Sequence, residues 1–104
     1  MPASNRPAAA LDSSQRKHLR ALAHPLEPLV LVGQEGITEA VLAAVDRALT
    51  DHELIKVRMR QPEDKKEMAS ALAMRTDATL CGLIGHTVIL YRRHPQKPKI
   101  QVEE

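Results

Sequence analysis

The sequence predicts a compact single α/β domain, ordered α-β-α-β-α-β-β, with a four-stranded mixed sheet carrying helices. Three observations point there. Segments with an apolar period near 3.6 alternate along the chain with segments of period 2, and Gly or Pro marks most of the junctions. At 104 residues the chain has room for one core, and its 43% hydrophobic content argues against disorder. With one Tyr and no Phe or Trp, that core must be built from aliphatic side chains.

The elements follow in order. Residues 1–11 lack periodicity and read as a flexible N-terminal tail ahead of a domain spanning 12–102. Ser13 is the expected N-cap of a first helix that runs to about Ala23, where His24-Pro25 stops it. Leu19, Leu22 and Ala23 give this helix an apolar stripe. Arg16 and Arg20 share another face, with Lys17 beside them. Pro28 to Val32 is a short apolar strand with large residues pointing both ways, so both of its faces are expected to be covered, one of them by the first helix. Gly33-Gln34-Glu35-Gly36 then turns the chain into a second helix, in which Ile37, Val41, Ala44, Val45, Ala48 and Leu49 recur at the helical period.

The strand from Glu53 to Arg60 alternates. Ile55, Val57 and Met59 face a core, and Lys56, Arg58 and Arg60 project from the other side. Pro62 suits the first turn of a third helix, with Glu63 and Asp64 favoured by the helix dipole and Met68, Ala69 and Leu72 forming the buried stripe. Two final strands, about Thr79 to Ile84 and Thr87 to Arg93, are joined by a tight turn at Gly85-His86. The segment after Pro95 is extended and basic. Right-handed crossovers place the second and third helices on one face of the sheet, leaving Lys56, Arg58 and Arg60 on the other.

Composition excludes several classes of function. The apolar runs are too short to span a bilayer, and residues 1–11 lack the pattern of a secretory signal, so a cytoplasmic protein is expected. A single cysteine, Cys81, excludes an internal disulfide and a Cys-based zinc site. His18 and His24 do not share the helical i, i+4 spacing, and His24, His52 and His94 fall at element ends, so no metal site is expected. No nucleophile is accompanied by a base and an orienting group. Neither an enzyme nor a cofactor is expected.

Charge is more informative by segment than in total, where it is only +2. Arg16, Lys17 and Arg20 stand against Glu27 alone, Lys56, Arg58 and Arg60 against Glu53, and Arg92, Arg93, Lys97 and Lys99 against no acid. The acids Glu35, Glu39, Asp46 and Asp51 lie between. Brought together, the basic segments form a phosphate-attracting surface; kept apart, they are solvated stretches. The Gly33–Gly36 loop has two readings as well. It is either a simple strand-to-helix turn or a loop whose glycines let a nucleotide backbone approach, as GxxG loops do elsewhere. Glu35 in its middle disfavours the anion. Tyr91 alone cannot supply a base-stacking platform, so any RNA contact must rest on backbone, shape and charge.

Three stretches, residues 15–24, 31–39 and 52–58, together with Ile84-Gly85-His86-Thr87-Val88-Ile89-Leu90-Tyr91-Arg92, resemble the CRM domain (chloroplast RNA splicing and ribosome maturation) in its stand-alone bacterial YhbY-type form. The likeness covers roughly residues 12–100. It implies a domain similar to the C-terminal domain of translation initiation factor 3, and RNA binding associated with precursors of the large ribosomal subunit. The family's loop maps onto Gly33 and Gly36, and its basic first helix onto Arg16, Lys17 and Arg20. Gln34-Glu35 departs from the family's basic loop, and Asp77 stands where the family commonly has Gly, which predicts strain at the end of the third helix.

The expected function is therefore RNA binding by a monomeric assembly factor of the large ribosomal subunit. Arg16, Lys17, Arg20, Lys56, Arg58, Arg92 and Arg93 would contact phosphates, and Gly33, Gln34, Glu35 and Gly36 would form the close-approach loop. The alternative is a protein–protein module that docks an acidic ribosomal protein or assembly factor on the same cations.

Overall fold

A computed structural model of the chain describes residues 11–100. The N-terminal tail up to residue 10 and the end of the expected domain at 101–102 lie outside the described residues. The elements are α1 (Ser13–Ala23), β1 (Val30–Val32), α2 (Glu39–His52), β2 (Leu54–Met59), α3 (Lys65–Arg75), β3 (Thr79–Ile84) and β4 (Thr87–Tyr91). This is the predicted order. The strands form one mixed sheet, β1-β2-β4-β3, with β1 and β2 parallel and the other pairs antiparallel.

Local chemistry sets the boundaries, and it moves several of them from their expected places. The N-cap of α1 is Asp12, not Ser13. Its carboxylate accepts from the Gln15 N–H at 2.8 Å while the Gln15 side chain accepts from the Asp12 N–H at 2.9 Å, a reciprocal box that Ser13 could not complete. The second helix begins only at Glu39, because Thr38 caps it by accepting from the Val41 N–H. The third begins at Lys65 rather than at Pro62, since the Asp64 carboxylate accepts from the Glu67 N–H. At its end Asp77 holds φ of 58°, a left-handed conformation that costs a side-chain-bearing residue, in line with the expected strain.

Two apolar layers sandwich the sheet. On one side α2 and α3 pack their buried residues, among them Val45, Leu49, Ala69 and Leu72, against Val32, Ile55, Val57, Met59, Val88 and Leu90. On the other, α1 presses Leu19 and Ala23 onto Leu54, Cys81, Ile89 and Tyr91, and Leu11 joins that cluster. The strand alternation seen in the sequence thus separates two cores. One expectation fails. α1 packs on β2, β3 and β4 but does not cover β1, so Leu29 and Leu31 stay about half exposed. The apolar run could not reveal this, because a run of large residues signals burial without saying whether a cover exists.

Candidate nucleic-acid interface

Sheet register fixes which cations share a side. Leu54 pairs with Tyr91, Lys56 with Ile89 and Arg58 with Thr87. Since Leu54, Ile89 and Tyr91 lie under α1, Lys56 and Arg58 project from the same face. Arg16, Lys17 and Arg20 arrive on α1 itself. Arg93 stands close enough to Tyr91 to act on its hydroxyl. The acids Glu39, Asp46 and Asp51 sit on α2, across the sheet. The α1 face therefore gathers basic side chains to which α1 and the strands add no acid, while the opposite side mixes the α2 acids with Arg47, Lys65, Lys66 and Arg75.

Some of these side chains also have intramolecular work. Arg20 lies along the sheet and donates from a guanidinium nitrogen to the Cys81 carbonyl at 2.8 Å. Its stem passes so near Gly82 that a Cβ there would come within 2.6 Å of Arg20 Cδ, so the absence of a side chain makes room for the arginine. Arg16 donates to the Leu11 carbonyl at 2.8 Å, which ties down the chain entering α1, and Lys56 Nζ donates to the His24 carbonyl at 3.0 Å, which holds the C-terminal end of α1 to β2. Among the described residues Lys17, Arg58 and Arg93 are exposed and have no hydrogen-bond or ion-pair partner.

Arg92 does not join this group. Its guanidinium donates to Asp46 Oδ1 at 2.7 Å, to the Thr76 carbonyl at 2.8 Å, and to the Asp46 carbonyl and Thr50 Oγ1 at 3.0 Å. It therefore points to α2, away from the α1 face, as strand alternation requires of a residue next to Tyr91.

The Gly33–Gly36 loop follows directly on β1 and closes through the Gly36 N–H donating to the Gly33 carbonyl at 3.0 Å. Only Gly36 needs to be glycine for its backbone, with φ of 79°; a Cβ at Gly33 would meet nothing within 4 Å. The fold thus gives no internal reason for glycine at position 33, and the space beside it is open to an approaching molecule. Gln34 and Glu35 are exposed at the tip.

Sequence reasoning missed Glu53, whose buried carboxylate accepts from the N–H groups of His94 at 2.7 Å, Lys99 at 2.8 Å and Ile100 at 2.7 Å. This clasp, together with the Arg92 N–H donating to the Glu53 carbonyl, ends β4 at Tyr91 and folds the basic segment 94–100 back onto the domain. A lone acid at a strand start gives no local sign of such a role. Burial pushes the neighbouring Tyr91 hydroxyl up to about 12, with the Glu53 charge adding to the effect. Burial also raises the Cys81 thiol to about 11 against the opposing charges of Arg16 and Arg20, which makes it a poor nucleophile. Among the described residues no group of three His, Cys, Asp or Glu could hold a metal ion, and no helix is long and apolar enough to cross a membrane.

Comparison with known proteins adds an independent line. Residues 11–92 match the family model of the CRS1 / YhbY (CRM) domain. A probable RNA-binding protein of Pseudomonas aeruginosa is 37% identical over 92 residues, covering 86% of this chain and 88% of its own. An RNA-binding protein of Haemophilus influenzae is 40% identical over 94 residues, covering 88% and 94%. The solution structure of a hypothetical protein from Staphylococcus aureus matches with a TM-score of 0.79 at 34% identity, over 89% of this chain and 99% of that one.

Proposed function

The chain belongs to the CRS1 / YhbY (CRM) domain family, and from that premise we propose that it binds RNA through the α1 face and serves, without catalysis, as a cytoplasmic assembly factor of the large ribosomal subunit. The observation that carries the reading is the gathering of Arg16, Lys17, Arg20, Lys56, Arg58 and Arg93 on the α1 face, where α1 and the strands contribute no acid. Phosphate contacts of this kind position RNA without reading its sequence, while the space beside Gly33 admits the backbone. Names of the relatives support RNA as the ligand. The ribosomal assignment rests on the family likeness.

Filter binding to purified precursor RNA of the large subunit, without other proteins, tests the RNA contact, and cross-linking in cells with sequencing of the attached RNA tests the assembly role. About five phosphate contacts give a slope of log K against log salt of roughly −3.5 to −4.5. Affinity that ignores salt would contradict the charge mechanism. Equal occupancy of large- and small-subunit precursors in cells would contradict the assembly role.

A further inference from the structure

One rung of the sheet stands uncovered. Register pairs Leu31 with Arg58, Arg58 with Thr87 and Thr87 with Ile84, so these four side chains form a single row across all four strands on the α1 side. Leu31 is 54% exposed and Ile84 62%, and Leu29, one pleat back beside Lys56, is 52% exposed. At about 4.8 Å between strands the row is roughly 14 Å long. One end of it leads straight into the Gly33–Gly36 loop.

Resting on the RNA reading above, we propose that this row receives unpaired bases of single-stranded RNA whose backbone is held at the loop and by the neighbouring cations. Its length matches the rise of about four stacked bases, or fewer when they are splayed apart. Leu31 and Ile84 offer apolar contact to base faces. Arg58, exposed and without an internal carboxylate, can lie against a base or bond its edge, and the Thr87 hydroxyl can do the latter. A duplex hides its base faces and presents only phosphates and groove edges, so it gains nothing from the row. A protein partner fits less well, because the row offers far less than the roughly 800 Å² per side of a stable interface. A second copy of the chain would set Arg58 and its basic neighbours against their own kind.

The test compares a short single-stranded RNA with the duplex formed from it and its complement, using fluorescence anisotropy and a 2-aminopurine base in the single strand. Wild-type protein is expected to favour the single strand, and Leu31→Ser/Ile84→Ser to weaken that binding roughly tenfold while leaving duplex affinity and the salt slope unchanged. Both positions are exposed, and an unaltered thermal midpoint would verify that the variant folds. Equal affinity of the wild type for both RNA forms, or a variant that binds the single strand as before, overturns the base platform while RNA binding stands. A variant that keeps both RNA affinities but loses an acidic ribosomal protein assigns the row to a protein and overturns the proposal. Failure of the wild type to bind either RNA at low salt removes the RNA reading itself, and this inference with it.

Discussion

Replacing Arg92 separates structure from recognition, because charge alone would make it an RNA contact and geometry makes it a brace. Its two terminal nitrogens donate four hydrogen bonds, and its side chain is only 18% exposed. The ion pair with Asp46 contributes little by itself, since that carboxylate is 63% exposed and screened. The larger loss comes from stranding the Thr76 carbonyl, which belongs to a buried residue, and from releasing α2. Arg92→Ala is therefore expected to cost about 2–3 kcal/mol, a drop of roughly 10–20 °C in the thermal midpoint of a domain this size. Arg92→Lys should recover less than half of that, as one ammonium on a flexible stem cannot span four acceptors. Calorimetry and urea unfolding measure the first effect, and the salt slope of RNA binding measures the second, expected to be unchanged. An unaltered midpoint together with a shallower slope, restored by lysine, would refute the reasoning and return Arg92 to the phosphate-binding set.

Other outcomes follow from the same contacts. Lys17→Ala should leave stability within about 0.5 kcal/mol and make the salt slope shallower by about 0.7–0.9, read by titration at several salt concentrations. Glu53→Gln should cost about 2 kcal/mol, because an amide NH₂ would face a backbone N–H, and hydrogen exchange should show residues 94–100 losing protection. Asp77→Gly should add about 0.5 kcal/mol in chemical denaturation by relieving the φ of 58°. Raising the pH should destabilise the fold between 9.0 and about 11. The unfolded chain gives up the Cys81 thiol proton at the lower value and the folded one at the higher, so the unfolded state binds fewer protons in that window. Cys81→Ala should flatten the profile below about pH 10 and leave the fall that Tyr91, raised from 10.0 to about 12, contributes above it.

Element order was legible because it is written in local periods. The alternation of Lys56 and Arg58 with Ile55, Val57 and Met59 assigns two sides of β2 without any knowledge of the neighbours, and the sheet keeps that assignment. Gly82 was legible in principle too, since an isolated glycine in a strand signals a close approach. What approaches it was not, because Arg20 lies 61 residues away from the Cys81 carbonyl it reaches.

The sequence by itself determined the α/β class, the strand and helix order, the aliphatic core and the presence of three basic segments. Only the tertiary structure decided that Arg92 turns inward to Asp46, that Glu53 clasps the C-terminal segment, and that Leu31, Arg58, Thr87 and Ile84 line up uncovered. Side-chain direction within an element follows from its period, which neighbouring residues encode. A side chain's partner follows from the register between strands and the reach of α1, set by the packing of distant segments against one another.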